Sequence, residues 1–170
     1  MKILLSFTIF LTIFFSNIGK VYSIEADVFI QSTVNRAAKT LGGTLTKEER
    51  VEKLKEIARD TVDIYGIGFY SLGAHRKNLT EEQITTYKKL FTEYFLISFS
   101  SRLAEYSNPE IEVNSKKIIN KSYTMVSSSL VSTNSRPEVK IEWRVYTKNP
   151  ENLLIRDLII EGLSLARTQR

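Results

Sequence analysis

Residues Val139-Lys140-Ile141-Glu142-Trp143-Arg144-Val145-Tyr146 alternate strictly. Val139, Ile141, Trp143 and Val145 take one parity, and Lys140, Glu142, Arg144 and Tyr146 take the other. Successive side chains of a strand point to opposite faces, so this octapeptide reads as a strand with one buried and one wet face. Such strands belong to antiparallel sheets covered on a single side. The neighbouring segments agree. Ile111 to Ile119 alternates weakly, and Tyr123 to Val131 reads as a strand diluted by Ser127, Ser128 and Ser129. Leu153 to Leu165 reads as a final strand apolar enough to be partly buried on both faces. Asn108-Pro109, Ser135 to Pro137 and Lys148 to Asn152 supply turns, so the three prolines fall between strands, where a missing N–H does no harm.

Upstream of Asn108 the period changes to that of helices. Val28, Phe29, Val34, Ala37, Ala38 and Leu41 share helical spacing, which Gly42-Gly43 ends. Thr46 with Glu49, and Thr80 with Gln83, are capping-box signatures. The first opens a helix through Val51, Leu54, Ile57, Ala58 and Val62, and a short helical piece follows from Ile64 to Leu72, ending at Gly73. The second opens the strongest helix of the chain, carrying Ile84, Tyr87, Leu90, Phe91, Tyr94, Phe95, Ile97, Phe99, Leu103 and Tyr106. It is apolar nearly all round between Tyr94 and Phe99, so more than one face asks for burial. Helices followed by strands predict an α+β domain: about four helices on one face of a four-stranded, curved antiparallel sheet.

Met1-Lys2 followed by the apolar run Ile3 to Phe15 reads as an export leader, with Val21-Tyr22-Ser23 placing cleavage after Ser23 and Ala26 offering a second point. The run is shorter than the ~20 residues a bilayer-spanning helix needs. Residues 24–170 then form one domain of ordinary size. Removing the leader takes Lys2 and Lys20 from a formal charge of +5, leaving a mildly basic protein suited to anionic lipid or an acidic surface. With no cysteine in the sequence, disulfides, thiolate metal sites and cysteine nucleophiles are excluded.

Catalytic signatures are sparse. His75 is the one histidine and lies in a polar Ala-His-Arg-Lys segment. Gly66-Ile67-Gly68 lacks the third glycine of a dinucleotide loop, and no acid or histidine spacing suggests a metal. Asp157 and Glu161 stand four apart on the last strand, on the parity of Ile155 and Ile159. A carboxylate in an apolar cavity could serve as a base, as in cone-shaped α+β isomerases. The simpler reading puts both acids on the wetter face beside a partner such as Arg144. Basic residues are scattered and the aromatics lie at core spacing on a helix, which argues against nucleic acid. What remains is an apolar excess that either packs as an ordinary core or encloses a ligand.

The order and spacing of several segments resemble the MlaC (toluene-tolerance) family. They are Val62-Asp63-Ile64 through Phe69-Tyr70-Ser71-Leu72-Gly73, Leu79-Thr80-Glu81-Glu82-Gln83, and Phe91, Tyr94, Phe95, Ser101-Arg102-Leu103 and Glu105-Tyr106. Ile141-Glu142-Trp143-Arg144, Asp157 and Glu161-Gly162-Leu163-Ser164 complete the set. Arg76, Asn149-Pro150 and Leu153 depart from the family pattern, and the family usually adds a helix beyond the position of Arg170, so the chain reads as shortened there. The resemblance implies a non-enzymatic periplasmic carrier of glycerophospholipid, without cofactor or metal. It would pass lipid between an outer-membrane lipoprotein complex and an inner-membrane ABC transporter complex that includes a substrate-binding MCE protein, and so maintain outer-membrane lipid asymmetry. The competing readings are a cavity-bearing isomerase-like enzyme and a non-catalytic interaction module. A lipid pocket between the long helix and the inner sheet face would be lined by Ile67, Tyr70, Leu72, Phe91, Phe95, Phe99, Leu103, Ile141, Trp143, Val145, Leu158 and Ile160, the last two chosen for the parity free of Asp157 and Glu161.

Overall fold

The computed structural model describes residues 24–107, 109–134 and 136–170. The expected leader, residues 1–23, together with Asn108 and Ser135 of two expected turns, lies outside the described residues. Among the described residues four helices come first: α1 (Ala26–Gly42), α2 (Lys47–Thr61), α3 (Ile64–Ser71) and, after a 3-10 turn at Gly73–Asn78, α4 (Glu81–Leu103). The sheet follows as β1 (Ile111–Asn120), β2 (Tyr123–Leu130), β3 (Val139–Tyr146), β4 (Leu154–Ile160) and β5 (Leu163–Ser164), with a last turn of helix α5 (Leu165–Thr168). The strands pair antiparallel in sequence order, β1-β2-β3-β4-β5. Among the described residues no helix is long and apolar enough to cross a membrane.

Local chemistry sets the helix ends. Both capping boxes form: Thr46 Oγ1 accepts the Glu49 N–H while Glu49 accepts the Thr46 N–H, and Thr80 with Gln83 does the same. Each satisfies two donors that a helix start leaves unpaired. Helix α2 stops at Thr61, not Val62, because Val62 turns extended and bridges Ile155 on β4, whose carbonyl accepts the Asp63 N–H at 2.9 Å. Gly73 then takes φ +55°, a left-handed conformation that suits a helix end. Helix α4 ends at Leu103, short of Tyr106.

The largest departure from expectation is at the C-terminus. Leu153 to Leu165 is not one strand, and among the described residues the sheet has five strands, not four. Glu161 (φ 48°) and Gly162 (φ 81°) both lie at positive φ between the paired residues Ile160 and Leu163. Two consecutive positive φ angles make a two-residue hairpin whose twist matches the strands, so the chain folds back as β5. Glu161 tolerates the strain because its carboxylate accepts the Lys140 N–H at 2.6 Å and its own N–H reaches the Lys140 carbonyl.

A bulge at Arg156 overturns the simple parity of β4. Arg144 pairs Asp157 and Val145 pairs Ile155, so Arg156 is the extra residue. Ile155 therefore sits on the inner face with Leu158, and is not on the side of Asp157. Asp157 is not on a wet face either, being only 4% exposed. It accepts the Ser164 hydroxyl at 2.7 Å and the Ala166 N–H at 3.0 Å, and no ion pair joins it to Arg144 among the described residues. The inner face joins Val126, Leu130, Ile141, Trp143, Val145, Ile155 and Leu158 to Ala26, Ile30 and Val34 of α1. A second cluster joins Ala58, Ile64, Ile67, Phe91, Phe95 and Leu96 to Ala166 of α5.

Candidate functional site: an apolar cavity between helices and sheet

The two clusters do not close on each other completely. Between them lies a cavity of about 190 Å³. Helix α4 lines it with Phe95, Phe99 and Leu103, α1 with Val34, Ala37, Ala38 and Leu41, and α2 with Leu54, Ile57, Ala58 and Thr61. The sheet contributes Ile111, Leu130, Val139, Ile141, Trp143, Ile155, Leu158 and Ile160. Small residues explain the space: Ala37, Ala38 and Ala58 stand on the helical wall opposite a bulky sheet wall, and short side chains cannot reach across. Phe91, Phe95 and Phe99 form a run of near-parallel rings along α4, with centroids 6.1 and 5.3 Å apart, which stiffens the wall.

The interior hydroxyl, indole and carboxylate groups of the lining are engaged within the protein. Thr33 and Thr61 donate their hydroxyls to the Phe29 and Ile57 carbonyls of their own helices, at 2.9 and 2.7 Å. Trp143 Nε1 donates to Ser128 Oγ at 2.8 Å. Both Asp157 oxygens are taken by Ser164 and Ala166. Among the described lining residues no nucleophile is paired with a base. The polar group not fully engaged is Arg136, on the β2–β3 connection. Its Nη2 donates to the Val131 carbonyl at 3.3 Å, its guanidinium lies 6.0 Å from the Tyr106 ring centroid, and its buried Nε has no partner. Tyr106 and Ile160 are the well-exposed members of the lining beside Arg136 and Val139, which places the mouth at the end of the sheet where β3 begins and β4 ends.

Of the residues expected to face a pocket, Ile67, Phe95, Phe99, Leu103, Ile141, Trp143, Leu158 and Ile160 line this cavity. Four do not. Val145 is fully buried in the packed core against Ile155. Phe91 and Leu72 pack in a cleft between α3 and α4 with Tyr65, Phe69 and Tyr87. Tyr70 is exposed in a groove of mixed character on the opposite side of the sheet, which also contains Arg144, Arg156 and Arg167. Sequence reasoning missed the whole contribution of α1 and α2. Their apolar spacing was visible, but a lining face and a packed face have the same period. The available hint was the run of alanines, which leaves a helix face shallow. The all-round apolar stretch of α4 is also resolved: one side faces the cavity, while Leu90, Tyr94 and Ile97 remain exposed. His75 is exposed on the 3-10 turn. No cluster of metal-ligating side chains exists among the described residues.

This is an α+β protein whose helical layer and antiparallel sheet enclose an apolar cavity. The MlaC protein family matches residues 31–170, and the chain belongs to that family. Among solved structures it is similar to a phospholipid-binding protein from Ralstonia solanacearum, determined in complex with a phospholipid, with a TM-score of 0.70. That pair is 17% identical, and the match covers 86% of this chain and 83% of the other. Among curated proteins nothing matches the chain significantly.

Proposed function

We propose that this protein is a periplasmic phospholipid carrier. In this reading the cavity sheathes acyl chains while the headgroup stays at the mouth beside Arg136. The observation that carries it is the chemistry of the lining, which is apolar, with its interior polar groups satisfied except for Arg136 Nε. Such a wall can hold hydrocarbon and has nothing to react with it. Burial is worth ~0.8 kcal/mol per methylene, so two 16-carbon chains would cost roughly 25 kcal/mol in open water, and crossing an aqueous gap requires a sheath. Membership of the MlaC family and the ligand of the Ralstonia solanacearum protein support the same reading. The cavity is below the ~300–1,000 Å³ of common ligand pockets, so loading two chains requires the helical wall to move away from the sheet.

In the same proposal the leader is cleaved, residues 24–170 act as one lipid-binding domain, and the protein exchanges lipid with an outer-membrane lipoprotein complex and an inner-membrane ABC transporter complex carrying an MCE protein. The isomerase-like alternative needs a free carboxylate in the cavity, and Asp157 is committed to Ser164 and Ala166. Purification from a bacterial periplasm, native mass spectrometry and solvent extraction test the carrier reading. Stoichiometric intact phospholipid is expected. Protein that never retains lipid, or that returns altered lipid, would overturn it.

A further inference from the structure

The cavity presents one unsatisfied charged group. Among the described residues, Asp157 and Arg136 are the acid and the cation of the lining. Among the described residues no carboxylate pairs with Arg136, and the nearby Glu138 accepts the Ser129 hydroxyl at 2.9 Å. Of its guanidinium donors, one reaches the Val131 carbonyl, while Nε is buried without a partner. A buried N–H of a cation that has lost water and gained nothing is costly, and native structures rarely keep one without a use. The backbone there is held in place. The Thr133 N–H donates to the Arg136 carbonyl at 2.8 Å and the Arg136 N–H to the Thr133 carbonyl at 3.2 Å, so the loop that carries Arg136 is closed by a bridge at its base. The side chain lies beside Tyr106, which borders the mouth.

We infer that Arg136 is a specificity-determining residue whose guanidinium binds the phosphodiester of a lipid headgroup at the cavity mouth, so that the protein selects phosphate-bearing lipids over uncharged lipids with the same acyl chains. This rests on the carrier reading and adds to it the source of headgroup selection. A planar guanidinium presents parallel N–H donors that match two phosphate oxygens, and the Nε–H, buried here, joins that side-on geometry once the helical wall moves to admit lipid. The apolar wall behind it cannot distinguish lipids by headgroup. An acyl chain meets the same surface whatever it is attached to, so discrimination has to come from the rim. The ring of Tyr106 borders the guanidinium and helps to restrict its approach.

The test is competitive uptake. Delipidated full-length mature protein is incubated with vesicles containing equal amounts of phosphatidylglycerol and a diacylglycerol of identical chains. The retained lipids are quantified by mass spectrometry after gel filtration. The wild-type protein is expected to retain phosphatidylglycerol in excess. Arg136→Ala is expected to lower that ratio by roughly tenfold to a hundredfold, the range of a charge-assisted hydrogen bond, while still loading diacylglycerol. Arg136→Lys, which keeps charge but loses the fork, is expected to fall between them. Because the readout is a ratio within one sample, partial unfolding of a variant does not mimic the effect, and the retained diacylglycerol reports that the cavity survives. Equal retention of both lipids by the wild type, or an unchanged ratio in Arg136→Ala, overturns the assignment and leaves the carrier reading standing. Retention of neither lipid by the wild type sinks the carrier reading itself, and the assignment with it. Inorganic phosphate is the remaining arm. It is expected not to displace bound lipid, and displacement that depends on Arg136 would mean a free-anion site instead.

Discussion

Asp157 accepts the hydroxyl of Ser164 at 2.7 Å, so a buried strand carboxylate holds the residue that starts the terminal helical turn. Ser164 Oγ in turn accepts the Arg167 N–H at 3.1 Å, and the second Asp157 oxygen accepts the Ala166 N–H. This chain of bonds presses Leu165 into the cavity wall and Ala166 into the second core cluster. Asp157→Ala should cost about 1.5–3 kcal/mol, the range for hydrogen bonds to a charged group. Urea denaturation measures it, and a loss under ~0.5 kcal/mol would show that the cap contributes little.

Gly162 lies at φ 81°, and a Cβ added there would meet nothing within 4 Å. Any cost of Gly162→Ala is therefore conformational, roughly 1–2 kcal/mol. The same change at Gly68 is of another kind, since a Cβ there falls 2.6 Å from the Phe91 ring. It should disturb α3–α4 packing as well as stability. Comparing the two by thermal melts and near-UV circular dichroism separates backbone strain from a clash: only Gly68→Ala should change the aromatic signal.

Lys116 on β1 ties the start of α1, reaching Glu25 and, at 2.9 Å, Asp27. The hydrogen bond from Lys116 holds the Asp27 carboxyl below its ordinary 3.8, and the bonds to Glu25 and then Asp27 raise Lys116 above 10.5. A depressed acid stabilises above its unfolded pKa and loses that contribution as pH falls through its folded value. A raised base stabilises below its unfolded pKa and loses it as pH rises through its folded value. The stability difference between wild type and Asp27→Asn should thus be flat from about pH 5 to 9 and shrink below about pH 4. Salt should reduce it, because the groups are exposed. A difference that grew on acidification would contradict the pairing.

Cavity and core respond oppositely to added bulk. Ala37 borders the cavity, so Ala37→Phe should fill space and reduce lipid retention with little loss of stability. Val145 has no exposed surface and packs against Ile155, so Val145→Phe should cost about 1–3 kcal/mol by overpacking. Mass spectrometry of retained lipid together with urea midpoints distinguishes them. An Ala37→Phe protein that kept its full lipid load would show that α1 does not face the ligand.

Trp143 is the chain's one tryptophan, borders the cavity and donates to Ser128. Its emission should shift when phospholipid is added to delipidated protein. Ser128→Ala should abolish the bond, leave the indole N–H unsatisfied and cost about 1–3 kcal/mol. Emission insensitive to lipid would place the ligand elsewhere.

Much of this fold is written in local pattern. The strict alternation from Val139 to Tyr146 marked the inner face of β3, and Thr46 and Thr80 marked the starts of α2 and α4, because period and capping depend on near neighbours only. Features that depend on distant partners were not legible. The Arg156 bulge moves Ile155 to the inner face because β4 must register with β3 on one side and Val62 on the other. Asp157 looked like a surface acid or a candidate base until Ser164 and Ala166 folded back onto it. The cavity itself is the clearest case. Apolar spacing determined which residues turn away from water, and the alanines of α1 and α2 fixed how far each side chain reaches. Whether those faces meet or stand apart is set by where the helices lie relative to the sheet, and so only the tertiary structure opened the space and brought Arg136 to its mouth.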